Sequence, residues 1–161
     1  MHRRTLLAAA SSFALAACGF KLRGAPDFVF KSIAIGTAET STLGNELKRS
    51  IASGGAVAVV PVDRAEVVLD VTQDQREKVV VGVNASGQVR EFQLRIRFKF
   101  RLRTPAGKEL IPETELLQQR DISFNESAVL SKEAEENLLY RDMQTDIVQQ
   151  LMRRLAAVKT L

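Results

Sequence analysis

Residues 91–103 read Glu-Phe-Gln-Leu-Arg-Ile-Arg-Phe-Lys-Phe-Arg-Leu-Arg, thirteen positions in which every second side chain is apolar. Successive side chains of an extended chain point to opposite faces. Phe92, Leu94, Ile96, Phe98, Phe100 and Leu102 therefore share one side, and Arg95, Arg97, Lys99, Arg101 and Arg103 share the other. A strand of this length spans about 43 Å at about 3.3 Å per residue. Its apolar face has to be covered by other elements, which implies a layered fold. Its polar face carries five consecutive cations, which call either for acidic residues on neighbouring strands or for an anionic partner.

The flanking segments supply the neighbours. Asn84-Ala85-Ser86-Gly87 and Thr104-Pro105-Ala106-Gly107 are turn signals on either side. Before the first, Val67, Leu69 and Val71 alternate with Glu66, Asp70, Thr72 and Asp74, with Val68 breaking the polar side. Gln75–Lys78 predicts an interruption or bulge before Val79–Val83 resumes as strand. After the second turn a strand is expected between Glu109 and Phe124, less regular because Leu116-Leu117 straddles both faces. Farther upstream, residues 31–36 read as a short strand and Ala56–Val60 as another, stopped by Pro61. Between them Thr40-Ser41-Thr42 offers caps for a helix with Leu43, Leu47 and Ile51 at intervals of four, ended by Gly54-Gly55. Strand, helix and strand within about 30 residues predict a crossover with parallel neighbours.

A long final helix completes the pattern. Ser131 is the expected cap, with Glu133, Glu135 and Glu136 in the first turns and Arg153, Arg154 and Lys159 in the last. Leu139, Met143, Ile147, Leu151 and Leu155, broadened by Val148 and Met152, form a stripe expected to lie on the apolar side of the sheet. There is no internal repeat and no low-complexity tract.

The chain opens with a different signal. His2-Arg3-Arg4 precedes a weakly apolar run of 12 residues, Leu6–Ala17, the pattern of a secretory signal and too short to span a membrane. Leu15-Ala16-Ala17-Cys18-Gly19 resembles the lipobox of bacterial lipoproteins, in which a peptidase cuts before a cysteine carrying diacylglycerol. Residues 1–17 are thus expected to be a lipoprotein signal peptide, 18–29 a lipidated start and tether, and 30–161 a single domain. Arg3-Arg4 fits ordinary or twin-arginine export. Losing both arginines leaves 21 basic against 19 acidic residues, so the formal charge falls from +4 to +2. The cut also removes His2, the only histidine, and acylation consumes Cys18, the only cysteine. Histidine triads, Cys/His zinc sites and disulfides are then excluded, leaving carboxylates, lysines and hydroxyls as possible catalytic groups. No apolar run after the signal reaches the ~18 residues of a spanning helix.

Arg95, Arg97, Lys99, Arg101 and Arg103 are the candidate binding residues. Same-face neighbours on a strand stand about 7 Å apart, so several can engage one multivalent anion, and the planar arginine fork suits phosphate. The competing reading is neutralisation by Glu113, Glu115 and Asp121 on the following strand, and by Asp70 and Asp74 on the preceding one. The acidic clusters suggest no enclosed cleft with a raised pKa. Asp70-x-Thr72-x-Asp74 lacks the glycine and glutamate of a calcium loop. No enzyme activity, metal or cofactor is expected beyond the diacylglycerol and N-acyl chain on Cys18.

Cys18-Gly19-Phe20-Lys21-Leu22-Arg23 resembles the start of lipopolysaccharide-assembly lipoproteins of the LptE family. The resemblance continues through the turn and strand of Asn84–Leu102 with its Glu91-Phe92-Gln93 step. Phe124-Asn125, Ala128–Glu136 and Gln150–Leu155 extend it further. The chain departs from some members in stopping soon after Leu155. The resemblance implies an α+β two-layer fold, a mixed four-stranded sheet with two helices packed on one face. It further implies an outer-membrane lipoprotein on the periplasmic side, held in the lipid by Cys18; Gly19 in place of aspartate agrees with that destination. The implied partners are lipopolysaccharide and an LptD-type β-barrel translocon, in whose lumen the domain sits as a plug and whose assembly it assists. Nucleic acid is not among them. The alternative is a lipid-anchored scaffold or chaperone for a barrel that does not itself bind glycolipid.

Overall fold

A computed structural model describes residues 27–161. The expected signal peptide, Cys18 and the tether through Pro26 lie outside the described residues. In chain order the elements are β1 (Ser32–Gly36), α1 (Thr42–Ser53), β2 (Ala58–Val59), β3 (Val67–Val83), β4 (Val89–Arg103), β5 (Glu109–Ser123) and α2 (Val129–Ala156). The strands form one sheet in the order β2–β1–β3–β4–β5. β1 runs parallel to β2 and β3, as the crossover pattern predicts, while β3, β4 and β5 form an antiparallel meander. The sheet is mixed, with both helices on one face, but has five strands where the family resemblance implies four. The fifth is β2, only two residues long and fully at the edge. Pro61 has no N–H to extend that ladder, and the backbone N–H groups of Gly54 and Gly55 are spent on capping α1.

β4 is the centre of the meander, and its apolar face behaves as the alternation requires. Leu94, Ile96, Phe98, Phe100 and Leu102 are fully buried against Leu47 and Ile51 of α1 and Met143, Ile147, Leu151 and Leu155 of α2. Ser41 caps α1, its Oγ accepting from the Gly44 N–H at 2.8 Å. Ser131 does not cap α2. That helix begins two residues earlier, after a single tight turn in which Asn125 accepts from the Ser127 N–H at 3.1 Å. Ser131 lies inside it and donates to the Ala128 carbonyl.

The predicted break at Gln75–Lys78 is also displaced. β3 is continuous there, and its register against β4 shifts instead at Thr72 and again around Val81–Gly82. The extra residue at Thr72 reverses the facing of the strand from Gln73 to Val80. Val67, Leu69 and Val71 face the helices before the bulge. After it Asp74, Arg76 and Lys78 lie opposite Phe98, Ile96 and Leu94, on the helix side. Each finds a polar partner on a helix or its cap. Asp74 accepts from Ser41 Oγ at 2.6 Å, and Lys78 contacts Glu136 at 2.6 Å while lying over the Phe92 ring. Arg76 donates to Thr42 Oγ1 and to Gln144 Oε1. Gln144, the one buried polar residue among those described, passes the network on to Glu46 of α1. Tyr140 donates to the Glu77 carbonyl at 2.7 Å, and burial, reinforced by Glu136, raises its pKa.

Gly44 marks the closest approach of α1 to the loop before it. A Cβ there would stand 2.7 Å from Thr37 Cβ and 2.8 Å from Thr37 Cγ2, where Thr37 Oγ1 is buried without a partner. Alanine at a helical glycine normally adds about 1 kcal/mol, but overpacking costs about 1–3 kcal/mol. Gly44→Ala is therefore expected to lower stability in urea unfolding. Thr37→Ala in addition removes the orphaned hydroxyl and the Cγ2 contact but keeps the Cβ at 2.7 Å, so the double variant is expected to recover only part of the loss.

Candidate functional site

The cationic row is held by the centre of the sheet, so its geometry is that of β4 itself. Arg95, Arg97, Lys99, Arg101 and Arg103 all project from the face opposite the helices, which carries no covering layer among the described residues. The structure answers the question of neutralisation residue by residue. Arg101 Nε and Arg103 Nε converge on Asp70 Oδ2 at 2.9 and 2.8 Å. Arg97 lies between Glu115 of β5 at 3.1 Å and Glu77 of β3 at 3.5 Å, and Lys99 reaches Glu115 only at 3.9 Å. Arg95 has no carboxylate within salt-bridge distance among the described residues; its Nε donates to Gln93 Oε1 at 2.7 Å.

Asp70 and Glu115 thus do what the alternation predicts. The other three expected partners do not. Asp121 accepts from Gln93 Nε2 at 2.8 Å, and Glu113 accepts from Thr72 Oγ1 at 3.2 Å. Asp74 is carried to the helix side by the bulge at Thr72. The same bulge brings Glu77 onto the cationic face, opposite Arg95. Strict alternation from Asp70 puts Glu77 on the wrong side, so only a bulge placed at Thr72 would have revealed it.

Five cations meet three carboxylates, Asp70, Glu77 and Glu115, which leaves a surplus of two positive charges on the row. The surplus lies toward Arg95 and Lys99, whereas the Asp70 end is closed by two guanidinium forks. Exposed pairs of this kind contribute about 0–1 kcal/mol each, so the row is held in place more by the strand than by its ion pairs. Chemically it can present guanidinium edges to a phosphate-bearing ligand across several residues of a rigid strand.

Elsewhere the surface offers less. A shallow cavity of about 510 Å³ lies between the β1–α1 loop and β3. Its lining carries a single carboxylate, Asp74, already bonded by Ser41. Among the described residues no group of three histidine, cysteine or acidic side chains is placed to hold a metal.

The Asp70 cluster makes a pH-dependent prediction. Hydrogen bonding from Arg103, joined by Arg101, holds the Asp70 carboxyl below its ordinary 3.8 against the opposing effect of burial. A folded pKa below the unfolded one stabilises above the ordinary value and is lost as pH falls through the lowered one. Asp70→Asn is accordingly expected to lower Tm at pH 7 by a few degrees, about 2–4 °C per kcal/mol for a chain of this size. Thermal melts across the acid range should show the two proteins converging once Asp70 is protonated.

Comparison with known proteins follows the same outline. Residues 30–155 match the model of a family described as LptE, lipopolysaccharide-assembly. The chain is similar to the uncharacterized lipoprotein B of Nitrosomonas europaea, solved in solution by NMR. Identity is 35%, with 86% of this chain and 91% of that one covered and a TM-score of 0.75. Two crystal structures share the fold at lower identity. The minor lipoprotein of Acinetobacter baumannii is 23% identical, with 81% and 94% covered and a TM-score of 0.64. The rare lipoprotein B of Shewanella oneidensis is 19% identical, with 79% and 95% covered and a TM-score of 0.65. No curated protein matches the chain.

Proposed function

Because the chain belongs to the LptE family of lipopolysaccharide-assembly proteins, we propose that it is an outer-membrane lipoprotein that works with an LptD-type β-barrel as its plug and assembly factor. In this reading Cys18 carries the diacylglycerol and N-acyl chain, and the domain faces the periplasm and the barrel lumen. Its action is binding, without catalysis and without a cofactor. The family accounts for a role in lipopolysaccharide assembly as a bacterial envelope lipoprotein.

One observation supports direct glycolipid binding: the uncompensated positive charge on the β4 row, borne by Arg95 and by the loosely paired Lys99. Lipid A and the inner core carry phosphates, and an arginine row on a rigid strand is a fitting receptor for them. Titration with purified lipopolysaccharide tests this. Charge reversal at Arg95, Arg97 and Lys99 is expected to weaken binding by about tenfold or more, equivalent to about 1.4 kcal/mol. Arg95→Glu alone, which breaks no ion pair, guards against loss of folding in the triple variant. Unchanged affinity in folded variants would remove the row as a site.

The pairing of Arg97, Arg101 and Arg103 with Glu115 and Asp70 favours a second reading, in which the row is structural and the chain serves a barrel only as scaffold or chaperone. Both readings expect one large β-barrel protein to co-elute when the lipidated chain is pulled down from detergent-solubilised membranes. Only the first expects measurable affinity for the glycolipid. Pull-downs that recover no barrel protein would argue against both.

A further inference from the structure

The described residues carry 19 lysines and arginines and 19 aspartates and glutamates, so their side-chain charges cancel in sum. They do not cancel in place. β1, β3 and β5 start, and β4 ends, at the same end of the sheet, here the proximal end. Both helices also finish there. The chain after α1 leads to Ala58, whose N–H donates to the Lys31 carbonyl at 2.9 Å. The chain after α2 reaches the β4–β5 turn, where Lys108 Nζ donates to the Leu161 carbonyl at 2.8 Å. Seven cations at this end have no carboxylate within salt-bridge distance among the described residues. Lys31 precedes β1, Lys48 and Arg49 lie in the second half of α1, and Arg64 closes a tight turn before β3. Arg153 and Arg154 end α2, and Lys159 follows it. Four carboxylates accompany them, Asp27, Asp63, Glu66 and Glu109. The distal end is the reverse. There Glu91, Asp121, Glu126, Glu133, Glu135 and Glu136 outnumber Lys78, Arg90 and Lys132, and both lysines are already paired.

The helix dipole accounts for Arg153 and Arg154, the basic residues in the last turn of α2. It does not account for the others. The last turn of α1 holds no basic residue, Lys48 and Arg49 standing before it, and Lys31 and Arg64 belong to no α-helix. Lys31, Arg49, Arg64, Arg153, Arg154 and Lys159 are all exposed, and Lys48 is half-buried. Separate elements of the fold thus deliver unpaired cations to one end of it.

We propose that, before the chain joins a barrel, this proximal end rests on the phosphates of anionic phospholipids in the leaflet that holds the Cys18 acyl chains. The inference rests on the lipoprotein reading only for bringing this end to a bilayer. Asp27, the first described residue, follows Cys18 by nine positions, a length that spans at most about 32 Å whatever its path. The bilayer is then the anionic surface that the covalent chain itself holds within reach of these cations. A single covalent connection fixes a distance and sets no angle; the charge distribution sets one. Each lysine or arginine beside an anionic leaflet gains about fivefold in affinity, while the carboxylates of the distal end are repelled. Because the two ends are opposite in sign and the sum is zero, the field orients the domain more than it strengthens the anchor. Docked this way, the domain holds Arg95, Arg97 and Lys99 off the leaflet, beyond the Asp70 cluster that closes Arg101 and Arg103.

Vesicle binding tests it. The whole mature chain, residues 18–161 with Cys18→Ser to prevent acylation, would be sedimented with phosphatidylcholine vesicles with and without phosphatidylglycerol. Binding is expected only with phosphatidylglycerol present, and is expected to fall steeply as salt rises. Arg64→Gln with Arg154→Gln and Lys159→Gln should weaken it by about thirtyfold or more. Arg90→Gln with Lys132→Gln and Arg141→Gln removes the same charge elsewhere and should change it less than about threefold. Orientation is read on the acylated protein, where Thr160→Cys or Ser86→Cys, both at exposed positions, supplies the only free thiol for a fluorophore. Spin labels on the lipid headgroups are expected to quench at position 160 and not at position 86 in the distal turn. Equal losses in the two triple variants, binding without phosphatidylglycerol, or equal quenching at both positions would overturn the proposal. So would vesicle binding that Arg95→Glu abolishes, or a proximal triple variant that loses affinity for purified lipopolysaccharide and not for vesicles. The intact mass of the membrane-purified chain tests acylation separately. A chain without acyl groups that binds vesicles through the proximal set removes the lipoprotein reading and leaves this surface standing. An acylated chain indifferent to the proximal set does the reverse.

Discussion

Covering the apolar face of β4 is the demand around which the other elements are arranged. Five large side chains, Leu94, Ile96, Phe98, Phe100 and Leu102, are completely buried on that one face. Burying each contributes about 1.5–3 kcal/mol. A strand this long cannot be covered by one short helix. α1, of 12 residues, and α2, of 28, share the work, and the stripe from Met143 to Leu155 lies against the strand's centre. The opposite face is left free of any such layer, and the row of cations follows from that division.

The bulge at Thr72 lets one strand serve two environments. Before it, β3 sends Val67 and Leu69 into the core; after it, Asp74, Arg76 and Lys78 face the helices instead. That would be costly on an apolar face. Here each polar group meets a partner: Ser41 at the α1 cap, Gln144 with Thr42, and Glu136 on α2. The bulge therefore joins both helices to the distal half of the sheet through hydrogen bonds, where the proximal half is joined by packing. It also delivers Glu77 to the cationic row.

The cationic row and the exposed valines are consequently spread along a long axis. Lys31 N–H donates to Glu66 beside the start of β3, which ties the first described residues to the proximal end of the sheet. The exposed valines, Val79 to Val81 and Val83, are at the other end of a strand about 55 Å long at about 3.3 Å per residue. Between the two lies the arginine row, its uncompensated charge toward the distal half. Charged face and apolar edge are thus ordered along one rigid sheet.

The alternation in residues 91–103 and the period of four in α2 were enough, unaided, to establish a layered α+β domain, its covered face and the candidate cations. Those features are legible because each depends on the repeat of a single element. The parallel start of the sheet was legible for a similar reason, since a short strand–helix–strand unit has few ways to close. What only the tertiary structure decided is which carboxylate meets which cation. Glu77 replaced Asp74 as a partner because one inserted residue at Thr72, invisible in composition and unmarked by glycine or proline, reverses the facing of the strand beyond it. The free edge of β3 was equally hidden. An unpaired edge is a property of where a neighbouring strand stops, and β1 stops at Gly36.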